Sequence, residues 1–516
     1  MPLLKPKAAP QAVRVERVVV KKNIPAKSSA AATPRSSSSL APNGSRVVSS
    51  KYPSSSPRVS PDPRSLARTK SASPYPSSSD ERLRAAERKR KVAVQRKDST
   101  PMWGSDDSGD DDDQLEHALT GKRRKVVTEW KDPNRRVRHK KAFAEEPREP
   151  RIIHAADLAS ISTGCPPAFF GAPEEEVAVK VQYPSRTLPE RYELVFRKEK
   201  INAVEDIKRL VKHVAETYLT LEQAKPFIDN QSSFYRLMER ASNNASHSSK
   251  RNGETPNGSN TQSKEFQDFK AALDGYNKQI SALVKDGSVE MNLDAIHDVP
   301  DDLVDFILAQ VYERTVSPNV ESLNKYQPGG DNVYGELMAP FVRTILSTHS
   351  NMTSDKVFMD LGSGVGNVVL QAALEIGCSS YGCEMVENSC NFAEAQEKEF
   401  RSRCLLWGIR PGLVTLERGD FRTNKKILET LKRADCILVN NKAFTPALND
   451  ALVRMFMDLK PGCKVISLVS FVMGNEKNGV NDIANSIFEV EEHQYYEDWV
   501  SWSKAGGRYF VSTRKS

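Results

Sequence analysis

Short apolar runs alternate with amphipathic segments along the last third of the chain. The runs are three to eight residues long, and apolar residues between several of them recur at the three- and four-residue spacing of a helix. This alternation predicts a doubly wound, mostly parallel sheet of the α/β class. The predicted strands cover residues 357–359, 379–383, 414–417, 436–439 and 464–471, and two of the predicted helices cover 368–375 and 391–406.

A different pattern closes the chain. Two β-prone segments, 499–502 and 509–512, flank the polar and glycine-rich residues 503–507. Two such runs around a short turn predict a terminal antiparallel hairpin. We therefore expect the α/β part to cover residues 326–516.

The region before it, residues 175–325, is mainly helical in pattern. Alternating segments at 177–183 and 192–196 predict two short strands, and helical spacing predicts helices over 201–219, 266–284 and 303–312. Residues 241–262 contain almost no large apolar side chain, so we expect a mobile loop inside this helical region.

The first hundred residues differ from the rest in composition. They contain 22 Lys and Arg, 6 Asp and Glu, 20 Ser and 12 Pro, and their net charge of +16 contrasts with −8 for the remaining 416 residues. So few large apolar groups cannot offset the entropy of ordering the backbone, and we expect residues 1–150 to be a disordered basic tail. Basic clusters at 88–91, 122–125 and 135–141 indicate a nuclear localisation signal or a nucleic-acid contact, with a merely solvated tail as the alternative.

Several classes of protein are not expected. No uncharged apolar run approaches 18 residues, and no long apolar stretch follows Lys5 and Lys7, which argues against a membrane span and a secretory signal. The seven cysteines include no C-x-x-C pair and have no histidine cluster beside them. We expect reduced thiols, with neither a disulfide framework nor a metal site.

The clearest chemical signal follows the first predicted strand of the α/β part. Residues 360–367 read Asp-Leu-Gly-Ser-Gly-Val-Gly-Asn, at the first ligand-binding position of a doubly wound sheet. A dinucleotide site would need glycine where Asn367 stands, and Asp360 would repel a pyrophosphate. S-adenosylmethionine (SAM) offers an ammonium, a sulfonium and an adenosine without phosphate. We therefore expect Asp360 to bind its amino group, directly or through water; a structural turn is the alternative.

Two later strands also end in acidic residues. Glu384 comes 24 residues after Asp360, close to the spacing at which such folds place an acid on the ribose hydroxyls. After the third strand, Asp420 can accept from the adenine amino group and Phe421 can stack on the ring. A solvated acid at Glu384 and an ordinary Gly-Asp turn at Asp420 are the alternatives.

Asn440 and Asn441 follow the fourth strand. In folds of this kind that strand end faces the transferred methyl, so an amide oxygen here can hold an incoming amine; local strand termination is the alternative. Adenine-N6 methyltransferases carry two prolines after such an Asn or Asp. This chain lacks them, which argues against a base-modifying enzyme.

Five blocks in order resemble the disruptor-of-telomeric-silencing methyltransferases, which modify lysine 79 of histone H3 without a SET domain. The blocks are NVYGEL at 332–337, FMDLGSGVGN at 358–367, LERGDF at 416–421, ILVNN at 437–441 and VSW at 500–502. The resemblance covers about two fifths of the chain, in the fungal-type arrangement with a C-terminal catalytic domain. It implies the class I SAM-dependent methyltransferase fold, with a doubly wound, mostly parallel seven-stranded sheet and a terminal antiparallel hairpin.

The resemblance also implies roles for individual residues. Asn440 would lie beside the transferred methyl, Tyr509 would line the lysine channel, and Phe444 would serve as an apolar wall. Lys442 departs from the family, which usually has an aromatic there, so it alters the channel or disfavours an incoming lysine. The implied cofactor-binding residues are Tyr334, Gly335, Glu336, Leu337, Phe358, Met359, Asp360, Leu361, Gly362, Ser363, Gly364, Val365, Gly366, Asn367, Glu384, Asp420 and Phe421.

Without the resemblance, the segment from Tyr334 to Glu336 would indicate only a helix start, and Trp502 and Tyr509 would indicate hairpin core. With it, we predict a nuclear histone-lysine N-methyltransferase that uses SAM and acts on lysine 79 of histone H3 in nucleosomes, in chromatin regulation, telomeric silencing and the DNA damage response. The tail would bind DNA without sequence preference. The family adds the histone H4 tail and ubiquitinated histone H2B as partners.

Two other functions are open at this level. One is a non-catalytic chromatin-binding protein whose SAM site has decayed, and the other is a SAM-dependent methyltransferase that acts on nucleic acid or on a non-histone lysine. For the enzyme we expect no dedicated strong base, because a desolvated aromatic channel beside a sulfonium lowers the pKa of the substrate lysine.

Overall fold

A seven-stranded sheet organises the C-terminal part of the chain. The computed structural model describes residues 132–146, 149–169, 172–198, 200–228, 236, 259–324, 334–472 and 479–516. The strands of the large sheet are β3 (Val357–Leu361), β4 (Ser379–Glu384), β5 (Val414–Arg418), β6 (Cys436–Val439), β7 (Lys464–Ser467), β8 (Phe488–Tyr495) and β9 (Gly507–Arg514). Their order across the sheet is β5-β4-β3-β6-β7-β9-β8, which confirms the predicted doubly wound architecture.

The topology places a ligand site at the carboxyl end of β3. Strands β3 to β7 pair in parallel. The chain moves from β3 outward to β4 and β5, and then returns to the other side of β3 with β6 and β7, so the switch point lies between β3 and β6. Loops diverge at such a switch point and leave a crevice. Phe358 and its neighbour Met359 belong to different apolar clusters, as expected for a strand buried on both faces.

Helices connect the parallel strands, as the sequence pattern predicted. Asn367 begins one of them directly after the glycine turn. The helices of this part are α7 (Ala339–Arg343), α8 (Asn367–Glu375), α9 (Glu387–Leu406), α10 (Lys425–Leu431), α11 (Pro446–Met455) and α12 (Gly479–Ile487), numbered after six helices that precede them.

The terminal hairpin has a different first strand from the predicted one. Strand β9 pairs antiparallel with β7 and with β8, and β8 is residues 488–495 rather than 499–502. Strand β8 forms the edge of the sheet and carries Glu489, Glu491 and Glu492, which weakened its apolar signal. Residues 499–502 lie instead against the loop before α7, where Val500 forms an isolated bridge with Leu337.

The N-terminal half of the described chain is mainly helical, as predicted. It contains α1 (Ala155–Leu158), β1 (Ala178–Val181), β2 (Glu190–Glu193), α2 (Ala203–Tyr218), α3 (Leu221–Ile228), α4 (Ser259–Lys285), α5 (Ser288–Asp294) and α6 (Asp301–Thr315). Strands β1 and β2 form a small antiparallel sheet. Of the predicted loop 241–262, residues 241–258 lie outside the described ranges and 259–262 begin α4. None of the helices in the described ranges is long and apolar enough to cross a bilayer.

Described residues between 132 and 150 are already packed into the fold, so the predicted tail boundary at residue 150 falls too late. Val137, Ala142 and Phe143 are buried, and the Arg135 guanidinium donates to the carbonyls of Leu374 and Glu375 at the end of α8. The basic cluster 135–141 therefore belongs partly to the fold. The rest of the predicted tail, residues 1–131, lies outside the described ranges.

A buried network of charges ties the helical region to the large sheet's helices. Glu190 of β2 accepts from Arg403 of α9 at 2.5 Å and from Arg314 of α6 at 3.2 Å. Arg314 also contacts Asp206 of α2 at 3.0 Å. The two guanidinium groups hold the pKa of Glu190 well below its usual range, against the opposing effect of burial. Removal of one member would leave an uncompensated buried charge.

Candidate active site

A cavity of about 260 Å³ opens at the carboxyl end of β3, where the topology predicts a ligand site. Four chain segments build its wall: the loop before α7, the glycine turn after β3, and the ends of β4 and β6. Asp420, Phe421 and Arg422, which follow β5, line the remaining side. Of the predicted site residues, the cavity brings together Tyr334, Gly335, Glu336, Leu337, Asp360, Gly362, Ser363, Gly364, Val365, Asn367, Glu384, Asp420, Phe421, Asn440 and Phe444.

The glycine turn needs its glycines for conformation and for space. Gly362, Gly364 and Gly366 all have positive φ angles, of 89°, 53° and 92°. A side chain at Gly364 would also meet the ring of Tyr334 at 3.1 Å. Residues with a Cβ rarely adopt this backbone, so the turn brings bare main chain to the cavity wall.

Asp360 lies at the base of the cavity and is buried. Burial raises its pKa to about 8, and the charge of Glu384 adds to the effect. A carboxyl group in this setting is mostly neutral at pH 7 unless a cation lies beside it. Asp360 therefore favours a positively charged ligand group.

Glu384 is held rigidly by main-chain donors. One carboxylate oxygen accepts from the amide of Gly364 at 2.9 Å, and the other accepts from the amides of Met385 and Val386 at 2.8 Å each. These bonds tie the end of β4 to the glycine turn. They fix the carboxylate at the cavity wall, as required of a group that orients a ligand's hydroxyls.

Asp420 and Phe421 form the side of the cavity beyond β5. Phe421 is mostly buried in the apolar cluster around β3 and offers one face to the cavity. Asp420 accepts from the guanidinium of Arg422 at 2.5 to 2.9 Å, and this bond lowers the pKa of Asp420. Arg422, which the sequence did not single out, therefore competes for the carboxylate that we assigned to adenine.

The paired asparagines after β6 have different roles. Asn441 is buried and donates to Asn449 and to the Val469 carbonyl, and its oxygen accepts from the amides of Leu468 and Val469. Its side-chain polar atoms join the end of β6 to α11 and to the loop after β7. Asn441 is thus a structural residue.

Asn440 faces the cavity and keeps a vacant acceptor. Its amide nitrogen donates to the Gly335 carbonyl at 3.1 Å, whereas its buried Oδ1 has no hydrogen-bond partner among the described residues. A buried acceptor without a partner is unfavourable unless a ligand supplies a donor. Phe444 lines the cavity beside it, while Lys442 is exposed and does not line the cavity.

Glu336 belongs to a loop that the C-terminal segment holds in place. Its amide donates to Ser501 Oγ at 2.9 Å, and its carbonyl accepts from the Ser501 amide at 2.9 Å. Trp502 packs on Gly335, where an added Cβ would lie 2.5 Å from the indole ring. Burial raises the pKa of Glu336, although hydrogen bonds from Tyr334 and Tyr312 oppose this rise.

Some predicted site residues lie outside the cavity. Phe358, Met359 and Leu361 are buried in β3, where they anchor the strand in the apolar layers on its two faces, and Gly366 caps α8. The resemblance placed them in the cradle because they belong to the same sequence block. These four residues do not line the cavity. They support the segments that do.

Tyr509 also lies outside this cavity. It packs edge-on against Phe341 of α7, and its hydroxyl lies 2.6 Å from Nε2 of His349. His493, its cross-strand partner on β8, stacks on the same ring. Its role in a lysine channel stays a prediction. Neither His349 nor His493 belongs to a recognisable motif, so neither could be selected as a site residue from the sequence.

Apolar wall residues were also missed. Leu438 and Leu448 line the cavity, as do Val386 and the half-exposed Met385 at its mouth. In the sequence these residues look like ordinary strand ends and helix starts. Only the position relative to β3 and β6 identifies them as part of the site.

Comparison with known proteins agrees with this geometry. The family model described as histone methylation protein DOT1 matches residues 312–514. A protein of Gibberella zeae named histone-lysine N-methyltransferase, H3 lysine-79 specific, is 52% identical over 458 residues, which cover 87% of this chain and 88% of that protein. This chain belongs to the DOT1 family.

Further DOT1 relatives carry the same name. The protein of Chaetomium globosum is 50% identical over 76% of this chain and 73% of its own length, and that of Aspergillus fumigatus is 41% identical over 82% and 81%. Among solved structures, an RNA methyltransferase from Salinibacter ruber in complex with S-adenosyl-L-homocysteine covers 34% of this chain and 92% of its own, at 19% identity and a TM-score of 0.24. That similarity is too low to carry weight.

The residues at the site of this DOT1 family member fit SAM. Two buried carboxyl groups, Asp360 and Glu336, line the cavity and have raised pKa values, so a cationic ligand would stabilise their ionised forms. Among the described residues that line the wall, the one arginine is Arg422; it is bound to Asp420, so these residues offer little to a pyrophosphate. Within the described ranges, no three His, Cys, Asp or Glu side chains are placed to hold a metal ion.

Proposed function

We propose that this chain transfers methyl groups from SAM to lysine 79 of histone H3 in the nucleosome. Its relatives, which match over most of both chains, are named for this activity. The observation that carries the proposal is the vacant acceptor of Asn440, buried at the wall of a cavity whose other residues suit a cationic methyl donor. An amine that enters beside it would supply the missing donor.

Four residues would hold the cofactor. Asp360 and Glu336 would bind its ammonium group, and Glu384 would accept from the ribose hydroxyls. Phe421 would cover one face of the adenine. Asp420 would accept from the adenine amino group in competition with Arg422, so its contribution is smaller than the sequence suggested.

The cofactor supplies an electrophilic methyl on a sulfonium, and the protein supplies position and solvation. Asn440 would hold the incoming lysine amine through Oδ1, because its Nδ2 is already fixed to Gly335. Alignment of donor and acceptor is the main source of rate in such a displacement. Phe444 would exclude water at this point, which lowers the pKa of the amine and favours its neutral form.

No base on this chain is required by the geometry. The carboxyl groups that line the cavity lie on the cofactor side, and His349 is bonded to Tyr509 outside it. A lysine has an ordinary pKa of about 10.4, and desolvation beside a cation lowers it toward neutrality. The proton would then leave to solvent before transfer.

Chromatin contacts belong to the same proposal. The relatives' names refer to histone H3, which supports a nucleosomal substrate and a nuclear location. Residues 1–100, with a net charge of +16, would release counterions from DNA and bind it in a salt-dependent way. Contacts with the histone H4 tail and with ubiquitinated histone H2B are carried over from the family resemblance.

Replacement of Asn440 tests the proposal directly. The Asn440→Ala chain should keep most of its SAM affinity in calorimetry and lose methyl transfer to nucleosomes, because it removes the acceptor for the amine and one hydrogen bond to the Gly335 carbonyl. Asn441→Ala is the contrast: it breaks four hydrogen bonds and should lower thermal stability first. Equal loss of SAM binding and transfer in Asn440→Ala would refute its catalytic role.

The same assay separates the rival functions. Wild-type chain is incubated with labelled SAM and with nucleosomes, free histones or DNA in parallel. Label on histone H3 supports the proposal, and label on DNA or on another protein identifies a different acceptor. No transfer to any of them, with SAM bound, would identify a non-catalytic chromatin protein.

A further inference from the structure

Tyr312 of helix α6, in the N-terminal region, contacts a residue that lines the cavity. The hydroxyl of Tyr312 donates to Oε1 of Glu336 at 3.2 Å, and the hydroxyl of Tyr334 donates to the same oxygen. Tyr312 is buried and does not line the cavity, whereas Glu336 does. Any effect of Tyr312 on a ligand must therefore pass through the Glu336 carboxyl group.

The Glu336 carboxyl group depends on these donors. The Ser501 hydroxyl and amide fix only its main chain, so the side chain is oriented by what its own oxygens bind. Burial raises the pKa of Glu336, and the hydrogen bonds from Tyr334 and Tyr312 act in the opposite direction. Donors to a carboxylate stabilise its ionised form.

Helix α6 is held firmly enough to act as a support. Two residues before Tyr312, Gln310 accepts from Trp407 Nε1 at 3.0 Å, and two residues after it, Arg314 is bound to Glu190 and Asp206. Glu190 and Asp206 belong to the buried charge network described above, and Trp407 is a buried residue of the apolar core. A side chain between two such anchors has little freedom to move.

The ring of Tyr312 also packs against the glycine turn after β3. Tyr312 packs in a small cluster with Val316 and Leu323 of its own region and with Val365 of the turn after β3. Tyr334 packs against this cluster. The helical region thus contacts both loops that enclose the cavity.

We propose that Tyr312 is a positioning residue for the methyl donor: its hydroxyl holds the Glu336 carboxyl group in the orientation that meets the donor's ammonium group. The inference rests on the proposed use of SAM. It gives the helical region, residues 203–315, a part in cofactor binding through Glu336, beyond support of the fold. The opposing view is that Tyr312 is only a core residue whose hydroxyl satisfies a nearby acceptor.

The substitution Tyr312→Phe removes one oxygen and keeps the ring. In the full chain, we expect the Kd for SAM to rise about tenfold, since one of the donors to a buried carboxylate is lost. The KM for SAM should rise by a similar factor, while kcat at saturating SAM stays within about twofold because the lysine side of the site is untouched.

Tyr218→Phe is the matched control. Tyr218 is also a buried tyrosine of the helical region, and its hydroxyl donates to the Trp407 carbonyl at 2.7 Å, in the α9 part of the core. Both variants lose one buried tyrosine hydrogen bond and should lose similar thermal stability. Only Tyr312→Phe should weaken SAM binding, which a purely structural role would not predict.

A double-mutant cycle decides the route of the effect. In a Glu336→Gln background, Tyr312→Phe should cause no further loss of SAM affinity, because the charged group that it supports is absent. Additive losses, or a Kd in Tyr312→Phe equal to that of wild type, would overturn the inference. If Tyr312→Phe is too unstable to assay, Tyr334→Phe removes the second donor to the same oxygen and should raise the Kd through the same cycle.

These outcomes are separate from failure of the proposed function. Wild-type chain that binds no SAM would refute the function itself. Wild-type chain that binds SAM and methylates nucleosomes, together with an unchanged Tyr312→Phe chain, would refute only the role of Tyr312.

Discussion

The protonation of Asp360 should control the affinity for SAM. Burial and the neighbouring charge of Glu384 raise its pKa to about 8 in the free chain. A cationic donor binds the ionised carboxylate, so binding below pH 8 must first release this proton. Affinity should therefore increase as the pH rises toward 8 and then level off.

The magnitude follows from the ionised fraction. With a pKa of about 8, roughly 1% of Asp360 is ionised at pH 6, roughly a tenth at pH 7 and half at pH 8. The apparent Kd is the intrinsic Kd divided by that fraction, so we expect it to fall about fiftyfold between pH 6 and pH 8. The ammonium of the donor stays protonated across most of this range.

The assay is calorimetric titration with SAM at pH 6, 7 and 8, on wild type and on Asp360→Asn. The variant should bind weakly, and its Kd should change much less with pH. In buffers of different ionisation enthalpy, wild type should release close to one proton at pH 7 and the variant close to none. A pH-independent Kd in wild type, or tight binding by the variant, would refute the reasoning.

Stability provides the internal control. For an acid whose pKa is raised in the folded state, stability is greatest below the unfolded pKa and falls as pH rises to the folded value, here from about 4 to about 8. An amide has no charge to desolvate. The free Asp360→Asn chain should therefore be at least as stable as wild type at pH 8, so its loss of affinity cannot be attributed to unfolding.

Two further substitutions probe the fold and the rim of the site. Glu190→Gln removes the buried carboxylate shared by two arginines and should lower the free energy of unfolding by about 3–5 kcal/mol in urea titrations; a loss below 1 kcal/mol would mean that water or other groups compensate. Lys442→Phe should leave the Kd for SAM unchanged, because Lys442 is exposed and outside the cavity. A change of more than threefold in calorimetry would place it in the cofactor site.

Much of the fold could be predicted from local pattern. The β3 and β6 strands are short apolar runs buried on both faces, and the helices that follow them show a 3.6-residue period. These local patterns are sufficient to predict the parallel sheet. The glycine turn after Asp360 is likewise local, since its positive φ angles demand glycine at fixed positions. Strand β8 was not predicted, because an edge strand needs little apolar surface and this one carries several glutamates.

The distribution of roles within the site required the tertiary structure. Asn440 and Asn441 look equivalent in the sequence. Only the fold shows that the Asn441 side chain makes four hydrogen bonds, whereas Asn440 Oδ1 has no partner among the described residues. It also ranked Phe358 with the cofactor residues, whereas the strand turns it away from the cavity.

The sequence by itself determined the α/β class, the ligand-binding turn and the acidic groups around it, because each depends on residue type and spacing along a few turns of chain. Only the tertiary structure decided which residues meet across long separations, such as Tyr312 with Glu336 and Trp502 with Gly335. Burial and partner choice are properties of packing. The pKa of Asp360 and the vacancy at Asn440 follow from that packing and cannot be read from the residues alone.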